Sequence, residues 1–169
     1  MDLFETIFTR RSIRSYKSDP VSDEHIQKIL RAAMAAPSAG NAQTWQFLII
    51  KDRNKLDAVP DFHAYCKMIK ETPVAILICG DLSKEKYEGY WVQDCSAATQ
   101  NLLLAARALG LGSVWTGIYP DKARVDGCRT LFQVPDAYVP FALVPLGWPK
   151  GEFKEVDRYS ADAVHVDTW

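Results

Sequence analysis

A single domain of mixed helix and sheet is the fold the sequence predicts, on three observations. Apolar runs of strand length, residues 45–51 (WQFLIIK) and 74–80 (VAILICG), alternate with segments of helical periodicity. The longest helical segment, residues 90–109, is apolar nearly all round and therefore belongs inside a core or between subunits. At 169 residues the chain is long enough to bury about 70% of its unfolded surface, and no repeat, low-complexity stretch or linker divides it. Residues 1–169 accordingly read as one domain.

In order along the chain, Leu3, Phe4, Ile7 and Phe8 recur at helical spacing and predict a short amphipathic helix over residues 2–9, with Asp2 and Glu5 near its positive end. Residues 16–20 read as a connector. Ser22 is placed to cap a second helix, whose first turn holds Asp23 and Glu24 and whose apolar stripe is Ile26, Ile29, Leu30 and Ala33. That helix ends near Ala36, because Pro37 disfavours helical geometry in the residue before it. A loop over 37–43 leads into the first strand, and residues 53–70 read as mixed helical, interrupted at Pro60. The unbroken apolar character of 74–80 predicts burial on both faces. The 90–109 helix closes on Gly110, a residue suited to a left-handed C-terminal position. A third strand is expected over 113–118 (SVWTGI), a short helix over 121–132, and a fourth strand over 141–146 (FALVPL), weakened by Pro145. Residues 147–169 form a polar tail with scattered large side chains.

Hydrophobic residues make up 48% of the chain and charged residues 24%, with a net charge of -1. That balance is ordinary for a soluble globular protein and gives no global pull toward nucleic acid or an anionic membrane. No window approaches the roughly 18 consecutive apolar residues that span a bilayer. Residues 1–9 carry two acids and lack the apolar core of a secretory signal, so a cytoplasmic location is expected. Cys66, Cys79, Cys95 and Cys128 are widely spread, with no C-x-x-C and no histidine at a metal-ligand interval. Buried free thiols, and no metal site, are expected.

Against this near-neutral background, Arg10, Arg11 and Arg14 with Ser12 form a dense local set of anion donors. Guanidiniums offer the bidentate N–H pairs that suit a phosphate, and a hydroxyl with turn amides can fill its remaining oxygens. The competing reading is a solvated basic turn balanced by the dipole of the preceding helix. The loop P-S-A-G-N-A-Q over 37–43 lies between a helix and a buried strand, where ligand loops are common. Asn41 and Gln43 each offer donor and acceptor, the chemistry that reads the uracil-like edge of a flavin or a pyrimidine; a loop that satisfies its own backbone is the alternative. The glycines at 110 and 112 fit neither the dinucleotide nor the P-loop pattern. They read instead as a helix cap before a strand in which Gly117 lets something planar approach the backbone. Trp115, beside Thr116 and Gly117, has a better case as a cofactor neighbour than the core candidates Trp45, Trp91 and Tyr119. His25, His63 and His165 have no Ser or Cys partner in a hydrolase context and are assigned surface or packing roles.

Five stretches in register along the chain resemble the nitroreductase family of flavoenzymes: R-R-S-I-R at 10–14, A-P-S-A-G-N-A-Q-x-W at 36–45, the run from Asp94 through Q-N-L-L-L-A-A at 100–106 to L-G-L-G-S-x-W-x-G at 109–117, L-V-P-L-G-W-P at 143–149, and D-R at 157–158. The resemblance implies an α+β fold with a central, mostly antiparallel sheet flanked by helices. It also implies an intertwined homodimer with two FMN molecules at its interface, the 90–109 helix in the dimer core, and residues 147–169 as an arm reaching the partner subunit. By position, Arg10 and Ser12 would meet the FMN phosphate and ribityl region, joined by Arg158. Arg11 would add main-chain or side-chain contacts there, and Arg14 would lie toward the ring's N1/O2 edge. Pro37, Ser38 and Ala39 would come from the partner subunit, with Asn41 and Gln43 nearby. Trp115, Thr116 and Gly117 would line the ring plane and offer N–H groups toward N5 and O4.

The implied activity is FMN-dependent electron transfer from NADH or NADPH to a small-molecule acceptor, a nitroaromatic, quinone or similar compound, by a ping-pong mechanism. The flavin N5 would carry the chemistry, so no catalytic side chain is assigned. Alternatives on the same scaffold are a non-catalytic flavin-binding sensor or carrier, or a relative that uses FMN for dehydrogenation or dehalogenation. Two positions depart from the family pattern. Val156 stands where a second basic residue often precedes the tail arginine, leaving Lys154 as a substitute, and no polar residue between 60 and 71 aligns with the flavin's pyrimidine edge, for which Lys67 and Lys70 are the candidates.

Overall fold

The sheet is built outward from β2 (Val74–Asp81), every residue of which is buried, in a computed structural model that describes residues 1–169. β2 lies between β1 (Trp45–Ile50) and β5 (Tyr138–Gly147) and is antiparallel to both. The other edge of β5 is taken by β3 (Gly112–Ser113), opposite Gly147 and Leu146, and by β4 (Thr116–Gly117), opposite Leu143 and Ala142. One parallel bridge, Ser12 to Ser113, adds the arginine segment outside β3.

Successive residues of β2 point to opposite faces, and both faces are covered, which is why the strand is apolar without alternation. On one face Val74, Ile76 and Ile78 pack in one core with Ile26 and Ile29 of α2 (Asp23–Met34) and Ala98 and Leu102 of α4 (Trp91–Ala108). On the other, Ala75, Leu77 and Cys79 pack with Leu56 of α3 (Arg53–Ala58), with Val59 and Ile69 of the 3-10 turns that follow, and with Cys128 and Phe132 of α5 (Lys122–Phe132). Each fully buried Leu or Ile contributes about 1.5–3 kcal/mol, so these two layers dominate the folding energetics. The result is the expected α+β architecture, a mostly antiparallel sheet flanked by helices. All four cysteines are buried and free, and no helix is long and apolar enough to cross a membrane.

Local signals act as the sequence predicts at most helix ends. Ser22 Oγ accepts from His25 N at 3.2 Å. Gly110 takes a φ of 79°, and Leu111 N then reaches back to the Ala106 carbonyl at 2.9 Å, closing α4 with a left-handed cap.

Two expectations change, and the direction of one helix, left open by the sequence, is settled. The single strand predicted over 113–118 is two short strands, because Val114 and Trp115 break the pairing between β3 and β4. β5 is longer than predicted and carries Pro140 as well as Pro145. Pro145 sits between the stretches paired with β3 and β4, where that edge of β5 has no partner and its missing N–H costs little. The apolar stripe of α1 (Leu3–Thr9) faces away from this chain's core: only Thr6 is buried, while Leu3 and Phe4 are 65% and 67% exposed. The tail beyond Gly151 is exposed apart from the half-buried Phe153.

Candidate functional site

The arginine segment leaves α1 in extended geometry and runs beside β3, where Ile13 N donates to the Ser113 carbonyl at 3.0 Å. Gly112 makes this approach possible, since a Cβ there would lie 2.8 Å from Ile13 Cγ2. Farther on, Tyr16 N donates to Glu71 Oε2 at 3.2 Å and Lys17 N to the Trp148 carbonyl at 2.8 Å. The Glu71 carboxyl is held below its usual range by the hydrogen bond from Lys150 and then by that Tyr16 amide. The backbone is thus fixed from both sides while the guanidiniums remain outside it.

Arg10, Arg11 and Arg158 come together around a cavity of about 460 Å³, with Ile7, Phe8 and Asp157 in the same wall. The tail reaches this point because Val156 N donates to the Phe8 carbonyl at 3.4 Å. Arg107 adds to the attachment, lying 3.9 Å over the Phe153 ring and donating from Nε to Thr9 Oγ1 at 2.9 Å. None of the chain's ion pairs involves Arg10, Arg11, Arg14 or Arg158. The Arg11 Nη2 donates to the Phe8 carbonyl, yet its Nε is buried without a partner. Burial, followed by the positive charges of Arg11 and Arg158, holds the Arg10 guanidinium below its ordinary pKa. Like charges gathered in this way, with a buried donor left over, call for an anion. Lys154 is exposed, and Val156 rather than Lys154 lines the cavity.

Arg14, at the far end of the same segment, lines a second cavity of about 170 Å³ with His63, Trp115, Thr116, Gly117 and Arg124. Thr116 Oγ1 donates to the Leu143 carbonyl at 2.6 Å, and Arg124 Nη1 donates to the Gly117 carbonyl at 3.0 Å. These bonds steady a strand that pairs through only two residues. A Cβ on Gly117 would meet nothing within 4 Å, so the backbone there is open to a ligand. Lys67 is exposed, and Lys70 lines a different groove beside Tyr16 and Arg53; neither reaches the Arg14 cavity.

Pro37, Ser38 and Ala39 line a third cavity, about 380 Å³, with Tyr90, Gln93 and Asp94. Asp94, 3% exposed, accepts from Ala39 N at 2.9 Å and from Thr44 Oγ1 at 3.1 Å, and so ties both ends of the loop to α4. Between those ends Gly40, Asn41 and Gln43 take left-handed φ values of 58°, 56° and 50°. Gln43 Nε2 donates to Asn41 Oδ1 at 2.9 Å, so these two amides partner each other and neither lines the cavity.

The structure therefore gathers the residues singled out in the sequence into three groups. Arg10, Arg11 and Arg158 form one, and Arg14 with Trp115, Thr116 and Gly117 a second joined to it along the 10–14 segment. Pro37, Ser38 and Ala39 form the third, in a separate cavity of the single chain. Ser12 is exposed, bridged through its backbone to Ser113. Asp94, His63 and Arg124 were assigned no role at the site from sequence. The one available signal was an acid on the buried face of a largely apolar helix; His63 and Arg124 carry no local pattern.

The fold is an α+β sheet that carries an arginine cluster without ion pairs close to a strand opened by Gly117. The family model described as the nitroreductase family matches residues 7–62 and 60–148. A candidate NADH dehydrogenase/NAD(P)H nitroreductase of Methanothermobacter thermautotrophicus is 48% identical over 169 residues, covering 100% of this chain and 88% of the relative. The crystal structure of a candidate NADH dehydrogenase/NAD(P)H nitroreductase from Parabacteroides distasonis matches with a TM-score of 0.94 at 42% identity, covering 98% of each chain. A candidate nitroreductase from Desulfovibrio desulfuricans, solved in complex with FMN, matches with a TM-score of 0.84 at 32% identity, covering 98% of this chain and 96% of that one. The chain belongs to the nitroreductase family.

Proposed function

We propose that the protein is an FMN-dependent oxidoreductase that draws electrons from NADH or NADPH and delivers them to a nitroaromatic, quinone or similar small acceptor. The observation that carries this reading is the Arg10, Arg11 and Arg158 cluster, which has no carboxylate ion pair and includes a buried Nε without a partner. A flavin phosphate carries about -1.5 to -2 charges near neutrality, enough to offset that cluster in a chain whose net charge is -1. Family membership and the FMN bound to the D. desulfuricans relative support the choice of anion.

In this proposal Arg10, Arg11, Ser12 and Arg158 hold the phosphate and ribityl end. Arg14 lies by the N1/O2 edge, where a fixed cation favours a reduced, anionic ring. Trp115 would line the ring, and the backbone at Thr116 and Gly117 would offer N–H toward N5 and O4, on a strand steadied by the bond from Arg124 to the Gly117 carbonyl. What FMN supplies when bound is the redox chemistry, with NAD(P)H oxidised in one half-reaction and the acceptor reduced in the other, in ping-pong order.

The site is completed, in the same proposal, by a second copy of the chain. The outward stripe of Leu3, Phe4, Ile7 and Phe8 and the exposed Tyr159, Val166 and Trp169 of the tail supply apolar surface for it. Pro37, Ser38 and Ala39, with Asn41 and Gln43 nearby, then serve the partner's flavin, residues 147–169 act as the arm, and 1–169 is one cytoplasmic domain.

The test is the visible spectrum of the purified full chain, followed by NADH and NADPH oxidation with a panel of acceptors. The expected result is a flavin spectrum, or its appearance on adding FMN, with acceptor-dependent turnover. A colourless protein that takes up no FMN contradicts the cofactor assignment, and flavin uptake without turnover contradicts the oxidoreductase.

A further inference from the structure

We infer that His63 recognises the pyrimidine edge of the bound flavin, accepting a hydrogen bond from the ring's N3–H; the inference rests on the FMN reading above. His63 is 2% exposed, yet neither imidazole nitrogen has a hydrogen-bond partner within the chain. A buried polar group without a partner is costly to keep, and an imidazole left so in the wall of a ligand cavity is placed to take its partner from the ligand. His63 lines the same cavity as Arg14 on one side and Thr116 and Gly117 on the other. In the proposed site those groups face N1/O2 and N5/O4, and N3–H lies between O2 and O4 in the covalent order of the ring.

The local charges select the imidazole's form. Burial, and then the nearby Arg124 guanidinium, hold His63 below its ordinary pKa and favour the neutral ring. A neutral imidazole has one donor nitrogen and one acceptor nitrogen. The Gly117 carbonyl draws on the donor, raising the ring's affinity for its proton, although it falls short of hydrogen-bond geometry. The other nitrogen is left as an acceptor, and N3–H is the one donor on the pyrimidine edge. The rival groups fit less well: Lys67 and Lys70 lie outside this cavity, Met68 has no N–H or O–H, and Tyr65 is 78% exposed.

The test compares the affinity of FMN and of 3-methyl-FMN, which lacks N3–H, for full-length wild type, His63→Leu and His63→Gln by fluorescence titration. The expected result is a loss of about tenfold in FMN affinity for His63→Leu, partial retention in His63→Gln, whose amide oxygen still accepts, and an apo melting temperature for His63→Leu no lower than wild type. The wild type discriminates against 3-methyl-FMN, and His63→Leu loses most of that discrimination. Equal losses for both flavins on replacing His63, or an unchanged FMN affinity, overturn the assignment and leave the cofactor reading standing. A wild type that fails to bind FMN overturns the cofactor reading, and this inference with it.

Discussion

Arg129 and Arg10 are the same residue type at comparable, partial burial, and the fold uses them in opposite ways. Arg129 donates to the carbonyls of Val134, Pro135 and Tyr138 at 3.3, 2.8 and 3.0 Å and pairs with Asp136, bracing the connection from α5 into β5. Arg53 likewise donates to the Thr72 and Ile69 carbonyls and pairs with Asp57. Arg10 and Arg158 have no ion pair, and the charged form of Arg10 is opposed by burial first and then by the charges of Arg11 and Arg158. Arg129 and Arg53 spend both terminal nitrogens on carbonyls and a carboxylate and are part of the frame, whereas Arg10 and Arg158 keep their donors for the anion proposed above. The contrast separates stability from binding, and substitutions can break it in either direction.

The largest effect is expected at the waiting cluster. Arg10→Ala should weaken FMN binding by about 1–3 kcal/mol, the range for losing hydrogen bonds to a charged group, while the melting temperature of the apo protein stays level or rises as like-charge repulsion is relieved. Fluorescence titration and a thermal melt read the two halves. The converse substitution, Arg129→Ala, should lower unfolding free energy by about 1–2 kcal/mol, since it leaves several carbonyls without a donor at a half-exposed position, with FMN affinity unchanged. Denaturant titration checks this, and a variant that binds FMN poorly at full stability would break the division. Asp94→Asn should cost a further increment of the same kind, about 1 kcal/mol, because an amide offers one acceptor oxygen where Ala39 N and Thr44 Oγ1 need two. Hydrogen exchange at Ala39 should accelerate. The smallest effect is that of salt: raising ionic strength should weaken FMN binding to the wild type progressively, and much less to Arg10→Ala.

Sequence patterns exposed the frame well and the site partly. β2 could be read from its apolar run alone, because a strand covered on both faces has no polar positions to obscure it. The break between β3 and β4 was not legible, since Val114 and Trp115 are good strand residues and the interruption arises from how β5 pairs on either side of them. The direction of the α1 stripe was also hidden: periodicity shows that a helix has an apolar face but not what covers it. At the site, the density of arginines in 10–14 was visible, but the absence of partnering carboxylates is a fact of three dimensions. Asp94 and Ala39 stand 55 residues apart, and His63 gains meaning only from the cavity it shares with Arg14 and Gly117.

The most direct test of the arginine cluster as a phosphate site is the affinity of the wild type for FMN against riboflavin, which has the same ring and ribityl chain without the phosphate. The cluster predicts much tighter binding of FMN, with the preference largely lost in Arg10→Ala combined with Arg158→Ala. Equal affinities for the two flavins, or a preference that survives both substitutions, would contradict it.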